Sequence, residues 1–83
     1  MYEIIFEEPA KQFIKRLDTS KQKRILEKIE QLQHNPRLGK PLLGRLSGLK
    51  SLRIDDYRVI YTVKEIELIV LVLKVGQRKD VYD

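Results

Sequence analysis

The side chains in this sequence that could take part in chemistry are basic and phenolic. Arg58 lies in a strand-like run, and the alternation of a strand puts it on the face opposite Tyr57 and Val59. Arg78 and Tyr82 stand on the short segment that follows the last apolar run. A guanidinium group can stabilise negative charge that builds up in a reaction, whereas a phenol, with a pKa of about 10, acts as a base only when that pKa is lowered. The sequence therefore predicts a site for an anionic partner.

A second group of cations lies in a segment without any acidic residue. No Asp or Glu occurs between Gln31 and Ile54. The number of Lys and Arg residues there equals the formal net charge of +5. We call these residues the basic segment; they are Arg37, Lys40, Arg45, Lys50 and Arg53. Such a surface attracts polyanions, so it predicts nucleic acid, an acidic protein or an anionic membrane surface as partner. In a regular strand Arg53 and Lys50 lie on opposite faces, unless a β-bulge intervenes.

The residue patterns of other catalytic and cofactor sites are missing from the sequence. The chain has no Cys and one His, and it contains no H-E-x-x-H, EF-hand, P-loop or G-x-G-x-x-G spacing. The acidic pairs Glu7-Glu8 and Asp55-Asp56 suit a helix N-terminus and a turn, respectively. The sequence therefore predicts neither a metal site nor a cofactor.

Two helices are predicted after a short first strand, Tyr2 to Phe6. From Pro9 to Asp18 apolar residues recur at i, i+3, i+4 and i+7, which is typical of an amphipathic helix. Thr19 is the predicted N-cap of a second helix, with Gln22 three residues later as in a capping box. That helix should end near His34, because a proline follows two residues later.

The second half of the chain predicts a loop and then three strands. Pro36 to Gly48 is rich in proline and glycine, and we expect its leucines to attach this loop to the core; they are Leu38, Leu42, Leu43 and Leu46. The runs from Leu49 to Ile54, Tyr57 to Lys64 and Glu67 to Val75 have strand composition, and the short connections between them suit hairpins. The predicted order is β-α-α-β-β-β, an α+β fold in which a mostly antiparallel sheet packs on a helical hairpin.

The size of the chain indicates one domain. For 83 residues and 9.9 kDa, folding should bury roughly 64% of the unfolded surface, which is a small but sufficient core. The longest aliphatic run, Leu68 to Leu73, is far shorter than the roughly 20 residues that cross a bilayer. Met1 leads directly into strand-like sequence, so no signal peptide is expected. We therefore expect a single domain over residues 1–83 that is soluble and cytoplasmic.

Three segments together resemble the RelE toxins of the RelE/ParE superfamily. They are the leucine- and glycine-rich run from Leu43 to Leu49, the strand Asp56-Tyr57-Arg58-Val59-Ile60-Tyr61, and the ending Val75-Gly76-Gln77-Arg78-Lys79-Asp80-Val81-Tyr82. The resemblance covers essentially the full chain, and the order of the three segments makes it specific. It implies the fold of these proteins and the role of a toxin in a type II toxin–antitoxin system.

In RelE-type toxins the domain enters the ribosomal A site and cuts messenger RNA there. The resemblance therefore implies a ribosome-dependent endoribonuclease that arrests translation. Arg58, Arg78 and Tyr82 match the family's catalytic positions. Arg53 is the better match to a further catalytic cation of the central strand, and Lys50 is the weaker match. The remaining basic residues near these positions are expected to bind RNA and the ribosome; they are Arg37, Lys40, Arg45 and Lys79.

RNA supplies its own nucleophile for such a reaction. A ribose 2′-hydroxyl attacks the adjacent phosphate, and guanidinium groups on a preorganised sheet can stabilise the charge on the phosphoryl oxygens without a metal ion. A general base is harder to supply, because Tyr and Lys titrate at about 10 unless neighbouring cations lower their pKa values. Tyr82 or Lys50 would take that part, while the ribosome orients the RNA.

Two other functions are compatible with the sequence. A ParE-like toxin of the same superfamily inhibits DNA gyrase, and a noncatalytic basic module would only bind nucleic acid. The resemblance to RelE toxins also implies a RelB-like antitoxin as partner, besides the ribosome and messenger RNA, and a toxin–antitoxin complex that binds operator DNA. Neither a cofactor nor a membrane partner is expected.

Overall fold

The structure is a computed structural model that describes residues 1–80. Its first elements are a strand and a helical hairpin. The elements are β1 (Glu3–Phe6), α1 (Glu8–Lys15), α2 (Thr19–Glu30) and a 3-10 turn (Gln31–Gln33). Pro9 lies in the first turn of α1, where its missing N–H costs nothing. The helical segment ends next to His34, as predicted.

The second helix begins differently from the prediction. Asp18, and not Thr19, is the N-cap, because its Oδ1 accepts a hydrogen bond from the backbone N–H of Lys21 at 2.9 Å. Aspartate is a stronger cap than threonine, and its charge suits the positive end of the helix dipole. Gln22 forms no capping box; its side-chain amide donates to the carbonyl of Ile14 at 2.9 Å and so ties α2 to the end of α1.

Five strands form one mixed sheet in the order β1-β5-β4-β3-β2. The strands after the hairpin are β2 (Lys40–Pro41), β3 (Lys50–Ile54), β4 (Tyr57–Lys64) and β5 (Ile69–Gln77). The neighbours from β2 to β5 are antiparallel, whereas β1 pairs with β5 in parallel. The predicted β-α-α-β-β-β fold is confirmed, with β2 as an additional short strand inside the predicted loop.

The helices cover one face of the sheet and form the core with it. Fully buried residues come from both helices and from alternate positions of β4 and β5; they include Ala10, Ile25, Ile29, Val59, Tyr61, Val70 and Val72. Phe13 of α1 meets Tyr57 of β4 edge to face, with ring centroids 5.9 Å apart. Because strand residues alternate, Arg58, Ile60 and Thr62 lie on the opposite side, which we call the open face.

The leucines of the loop between α2 and β3 are more exposed than predicted. Leu42 and Leu46 are half-buried, but Leu38 is 40% exposed and Leu43 is 86% exposed, so the prediction is wrong for these two. Leu43 lies at the tip of the turn between β2 and β3, where the chain reverses and no core surface is within reach. Gly44, with a φ of +67°, provides the left-handed backbone that this reversal uses.

Candidate nucleic-acid interface

Two arginines stand opposite each other on the open face. Arg53 of β3 and Arg58 of β4 are direct cross-strand partners, so their side chains leave the sheet on the same side. Both line a cleft of about 300 Å³, whose walls are formed by Leu38, Gly39, Lys40, Ser51, Leu52, Arg53 and Arg58. Three of these seven residues are cations, so the cleft is suited to an anionic group.

Ser51 fixes the orientation of one of the two guanidinium groups. Arg58 Nη1 donates a hydrogen bond to Ser51 Oγ at 3.0 Å, and Ser51 is only 4% exposed. Arg53, in contrast, is exposed. An anion between the two side chains could accept hydrogen bonds from both guanidinium groups. The arrangement therefore resembles a preorganised donor set for a phosphoryl group.

Tyr61 holds the loop wall of the cleft from the core side. Its hydroxyl donates to the carbonyl of Pro36 at 2.8 Å and accepts from the backbone N–H of Gly39 at 2.9 Å. A Cβ at position 39 would lie 2.7 Å from Tyr61 Oη and 2.8 Å from the carbonyl oxygen of Ser51, so a larger residue does not fit. Burial raises the pKa of Tyr61, so this phenol stays protonated and acts as a structural donor, not as a base.

Arg78 is held next to the turn between β3 and β4. Its backbone N–H donates to the carbonyl of Asp56 at 2.8 Å. The other turn residue, Asp55, has a φ of +54° and forms a two-point ion pair with Arg24 of α2, in which Nη2 and Oδ1 are 3.0 Å apart. The hydrogen bonds from Arg24 lower the pKa of Asp55. The turn that holds the backbone of Arg78 is thus itself tied to α2.

The predicted site continues beyond Arg78 in the sequence. Lys79 is exposed in the turn after β5, where the N–H of Asp80 donates to the carbonyl of Gln77 at 2.9 Å. Tyr82 lies outside the described residues. Its catalytic role therefore stays a prediction.

The register of the sheet separates Lys50 from the two arginines. Lys50 pairs with Tyr61, whose side chain lies in the core, so Lys50 leaves the sheet on the helix-covered side. The pairing of β3 with β4 is regular from position 50 to position 54, so no bulge returns Lys50 to the open face. Of the two candidates for the further cation, the geometry brings Arg53 beside Arg58.

The remaining predicted RNA-binding residues are spread along the sheet. Lys40 lies on the wall of the cleft. Arg37 forms an ion pair with Glu65, with Nη2 and Oε1 3.5 Å apart, at the end of β4 that is distant from Arg58. Arg45 lies in the turn between β2 and β3, at the same distant end. The basic segment is therefore not a single surface.

Lys74 and Ser51 also lie on the open face, although the sequence did not predict them there. Alternation from the buried Val72 would carry Lys74 into the core, but a β-bulge shifts the register, and Lys74 pairs with Ile60 on the open face. The sequence contains no signal for this bulge, because residues 69–73 are apolar at every position and show no two-residue period. The role of Ser51 could not be predicted either, because its hydrogen bond with Arg58 joins two strands and depends on how they are aligned.

Residues 1–80 contain neither a cluster of metal ligands nor a membrane-spanning helix. No group of three or more His, Asp or Glu residues in this part of the chain is placed to hold a metal ion. No helix formed by these residues is long and apolar enough to cross a membrane.

Comparison with known proteins gives the family of the chain. The family model for the ParE toxin of type II toxin-antitoxin system, parDE, matches residues 4–82. Toxin RelE of Mycobacterium tuberculosis (strain ATCC 25618 / H37Rv) is 42% identical over 52 residues, which are 61% of this chain and 54% of that protein. Toxin RelG of the same strain is 39% identical over 46 residues, or 55% of this chain and 53% of that protein. The matched segments thus span about half the length of these two relatives.

A solved structure extends the likeness to the whole fold. The toxin–antitoxin complex RelBE2 from Mycobacterium tuberculosis contains a chain that superposes with a TM-score of 0.84 at 29% sequence identity. The superposition covers 93% of this chain and 98% of that chain. The order of strands and helices, the family model and the two relatives agree, and the chain therefore belongs to the ParE toxin family of type II toxin–antitoxin systems, within the RelE/ParE superfamily, as a RelE-like toxin.

Proposed function

We propose that this toxin is a ribosome-dependent endoribonuclease, which cuts messenger RNA in the ribosomal A site and so arrests translation in the cytoplasm. The observation that carries the proposal is the cross-strand pair of Arg53 and Arg58 on the open face, beside a cleft. Two guanidinium groups on the same side of the sheet can donate hydrogen bonds to one phosphate group of RNA. The similarity to RelE toxins supports the same assignment.

The proposed reaction uses the ribose of the RNA as nucleophile. The 2′-oxygen attacks the adjacent phosphorus and loses its proton, the bond from phosphorus to the 5′-oxygen breaks, and that oxygen gains a proton. The products are a 2′,3′-cyclic phosphate and a 5′-hydroxyl. Arg58, oriented by Ser51, and Arg53 stabilise the charge that grows on the nonbridging oxygens. This charge stabilisation comes from the protein's own cations and requires no metal ion.

Two further groups complete the proposed site. Arg78 contributes a third guanidinium, because its backbone is fixed to the turn that joins β3 and β4. Tyr82 is the proposed group that exchanges the proton, on the strength of the family pattern. The ribosome would orient the RNA, which explains why a site with so little general-base chemistry needs it.

The proposed partners follow from the same family. A RelB-like antitoxin is proposed as the neutralising partner, because the similar toxin chain of RelBE2 was solved in a toxin–antitoxin complex. The ribosome and messenger RNA are the proposed target, and the complex with antitoxin is proposed to bind operator DNA. All three partners other than the antitoxin are polyanions, which agrees with the net charge of +5.

Primer extension on a defined messenger in a translating system tests the proposal. We expect cuts that require ribosomes and that become about 100-fold slower or more in Arg58→Ala, because one donor to the developing charge is lost. Lys64→Ala is the matched control, since Lys64 is exposed on the same face but six residues along β4. Equal cleavage by Arg58→Ala and Lys64→Ala, or equally fast cuts at the same sites in RNA without ribosomes, would contradict the proposal.

Inhibition of DNA gyrase is the second candidate, because the matching family model is that of ParE toxins. A supercoiling assay with purified gyrase distinguishes the two functions. Growth arrest with inhibited supercoiling and an uncut messenger would replace the ribonuclease by a gyrase inhibitor. An uncut messenger without growth arrest would leave a noncatalytic nucleic-acid-binding module.

A further inference from the structure

Lys74 is a cation of the open face whose position depends on a local irregularity of β5. Val72 pairs with Tyr61 on the core side, whereas Lys74 pairs with Ile60 on the open face. One additional residue, Leu73, therefore stands in β5 at this point, as in a β-bulge. Without the bulge, the side chain of Lys74 would have to enter the core with Val72. The bulge thus presents a positive charge on the same side of the sheet as the two arginines.

The ladders place this lysine in a defined arrangement with the proposed site. One row across the sheet consists of Lys40, Ser51, Ile60 and Lys74, and the next consists of Arg53, Arg58 and Gly76. Diagonal neighbours on adjacent antiparallel strands are roughly 7–8 Å apart, so Lys74 is within reach of a group that contacts Arg58. Ile60, which is 6% exposed, separates Lys74 from Ser51 within the row.

The charge of Lys74 is not used inside the described part of the fold. The ion pairs among residues 1–80 are Arg24 with Asp55 and Arg37 with Glu65, so no carboxylate there neutralises the ammonium group. Lys74 is half-buried as a residue, as is usual for a lysine whose methylene stem lies along the sheet. A positive charge on the open face that no carboxylate of residues 1–80 neutralises favours the approach of an anion.

We propose that Lys74 binds a phosphate of the messenger strand next to the phosphate held by Arg53 and Arg58, an inference that rests on the proposed ribonuclease function. A lysine suits this part, because its ammonium is a point charge that accepts a phosphate from several directions, while the arginines hold the reacting group in one geometry. Lys74 is then an RNA-binding residue that sets the path of the strand across the sheet. Its contribution is to affinity more than to the chemical step.

A structural role for Lys74 would depend on its aliphatic stem alone. Half-buried lysines often cover apolar surface with their methylene groups, and Ile60 beside it is such a surface. Lys74→Met keeps the apolar length and removes the charge, and Lys74→Arg keeps the charge. These two variants therefore separate phosphate binding from packing. Lys64→Met is the matched control, because Lys64 lies on the same face roughly 20 Å from Arg58 along β4.

The test is the cleavage rate of a defined messenger on programmed ribosomes, measured against toxin concentration at several salt concentrations. We expect Lys74→Met to need about tenfold more toxin for half-maximal rate, with a nearly unchanged maximal rate. The slope of log affinity against log salt should fall by about 1 in this variant, as for the loss of one phosphate contact. Lys74→Arg should stay close to the wild type, and Lys64→Met should be indistinguishable from it.

The outcomes distinguish this inference from the proposed function. If the wild type cuts the messenger and Lys74→Met behaves like Lys64→Met, the inference is overturned and the ribonuclease function stands. If Lys74→Met and Lys74→Arg are equally impaired, the lysine acts through packing and the inference is likewise overturned. If the wild type does not cut at all, the ribonuclease function fails and the role of Lys74 fails with it. Thermal unfolding of each variant shows whether a loss of activity comes from a loss of fold.

Discussion

At the scale of single residues, the cleft is organised by side chains that are buried behind it. Arg58 reaches the open face in a fixed direction because Ser51 accepts its hydrogen bond at 3.0 Å. Tyr61 lies on the other side of the sheet, yet its hydroxyl holds the loop that forms the opposite wall. These contacts fix the Arg58 guanidinium and the loop wall before any ligand arrives, and charge stabilisation is most effective from groups fixed in advance.

Loss of the Tyr61 hydroxyl should destabilise the protein. Tyr61→Phe leaves the buried N–H of Gly39 without its acceptor, so the free energy of unfolding should fall by about 1–3 kcal/mol. Tyr57→Phe is the control, because none of residues 1–80 forms a hydrogen bond with that hydroxyl, and it should change stability much less. Urea unfolding of both variants measures the difference. Equal stability of the two variants would show that the loop is held by other contacts.

At the scale of elements, the hairpin turn between β3 and β4 connects the helices with the end of β5. Arg24 of α2 binds Asp55, and the neighbouring Asp56 accepts the hydrogen bond from the backbone of Arg78. Asp55 has a left-handed backbone, which aspartate and asparagine tolerate better than most residues. The turn is therefore defined by backbone geometry and by one ion pair, although that pair is exposed to solvent.

The ion pair of Asp55 predicts a dependence of stability on acid. Its pKa is lowered in the folded protein, chiefly by the hydrogen bonds from Arg24, so its contribution is present above the unfolded pKa of about 3.8 and is lost as the pH falls through the folded value. Asp55→Asn, which still suits the left-handed backbone, should lower stability at pH 7 and flatten its decline below about pH 4. Urea unfolding at about ten pH values between about 2 and 7 measures the free energy of unfolding of both proteins.

Asp18 provides the control for that experiment. The pKa of Asp18 is also lowered, first of all by the hydrogen bond from the backbone N–H of Lys21 at the start of α2. Asp18→Asn keeps the N-cap and removes only this second titration. If the two aspartates act separately, the double variant should lose both contributions additively. An acid decline that is unchanged in Asp55→Asn would exclude the ion pair as its cause.

At the scale of the whole molecule, the position of charge matters more than its sum. The net charge of +5 equals the number of cations in the basic segment, yet the fold distributes these residues over both faces and both ends of the sheet. Lys40 and Arg53 remain at the cleft, where the low dielectric of the wall strengthens their field. Helices α1 and α2 carry their own lysines on the opposite side of the molecule.

Two double variants of equal net charge test whether position decides. Lys40→Gln with Lys79→Gln removes charges near the proposed site, and Lys15→Gln with Lys23→Gln removes two from the helices. Ribosome binding should weaken by about tenfold or more in the first pair and by less than about threefold in the second, with the difference shrinking as salt is raised. Sedimentation with ribosomes measures both. Equal losses would mean that only the total charge attracts the toxin.

The sequence by itself determined the two helices, four of the five strands and their order, but not the short strand β2. The periodicity of α1 and the composition of β4 are local properties, and Pro9 and the pair Asp55-Asp56 stand where the structure has a helix start and a turn. The position of Arg58 on the face away from the helices also followed from alternation, because the residues on either side of it, Tyr57 and Val59, both face the core. These features depend only on residues that are close together in the chain, so they can be predicted from the sequence.

The tertiary structure decided which of the candidate residues meet. Arg53 lies beside Arg58 and Lys50 does not, because the register of β3 on β4 assigns one to each face. Lys74 joins the open face only through a bulge, and Ser51 bonds Arg58 only because two strands are aligned. Such contacts depend on the alignment of strands that are distant in sequence, and a shift by one residue would exchange the two faces.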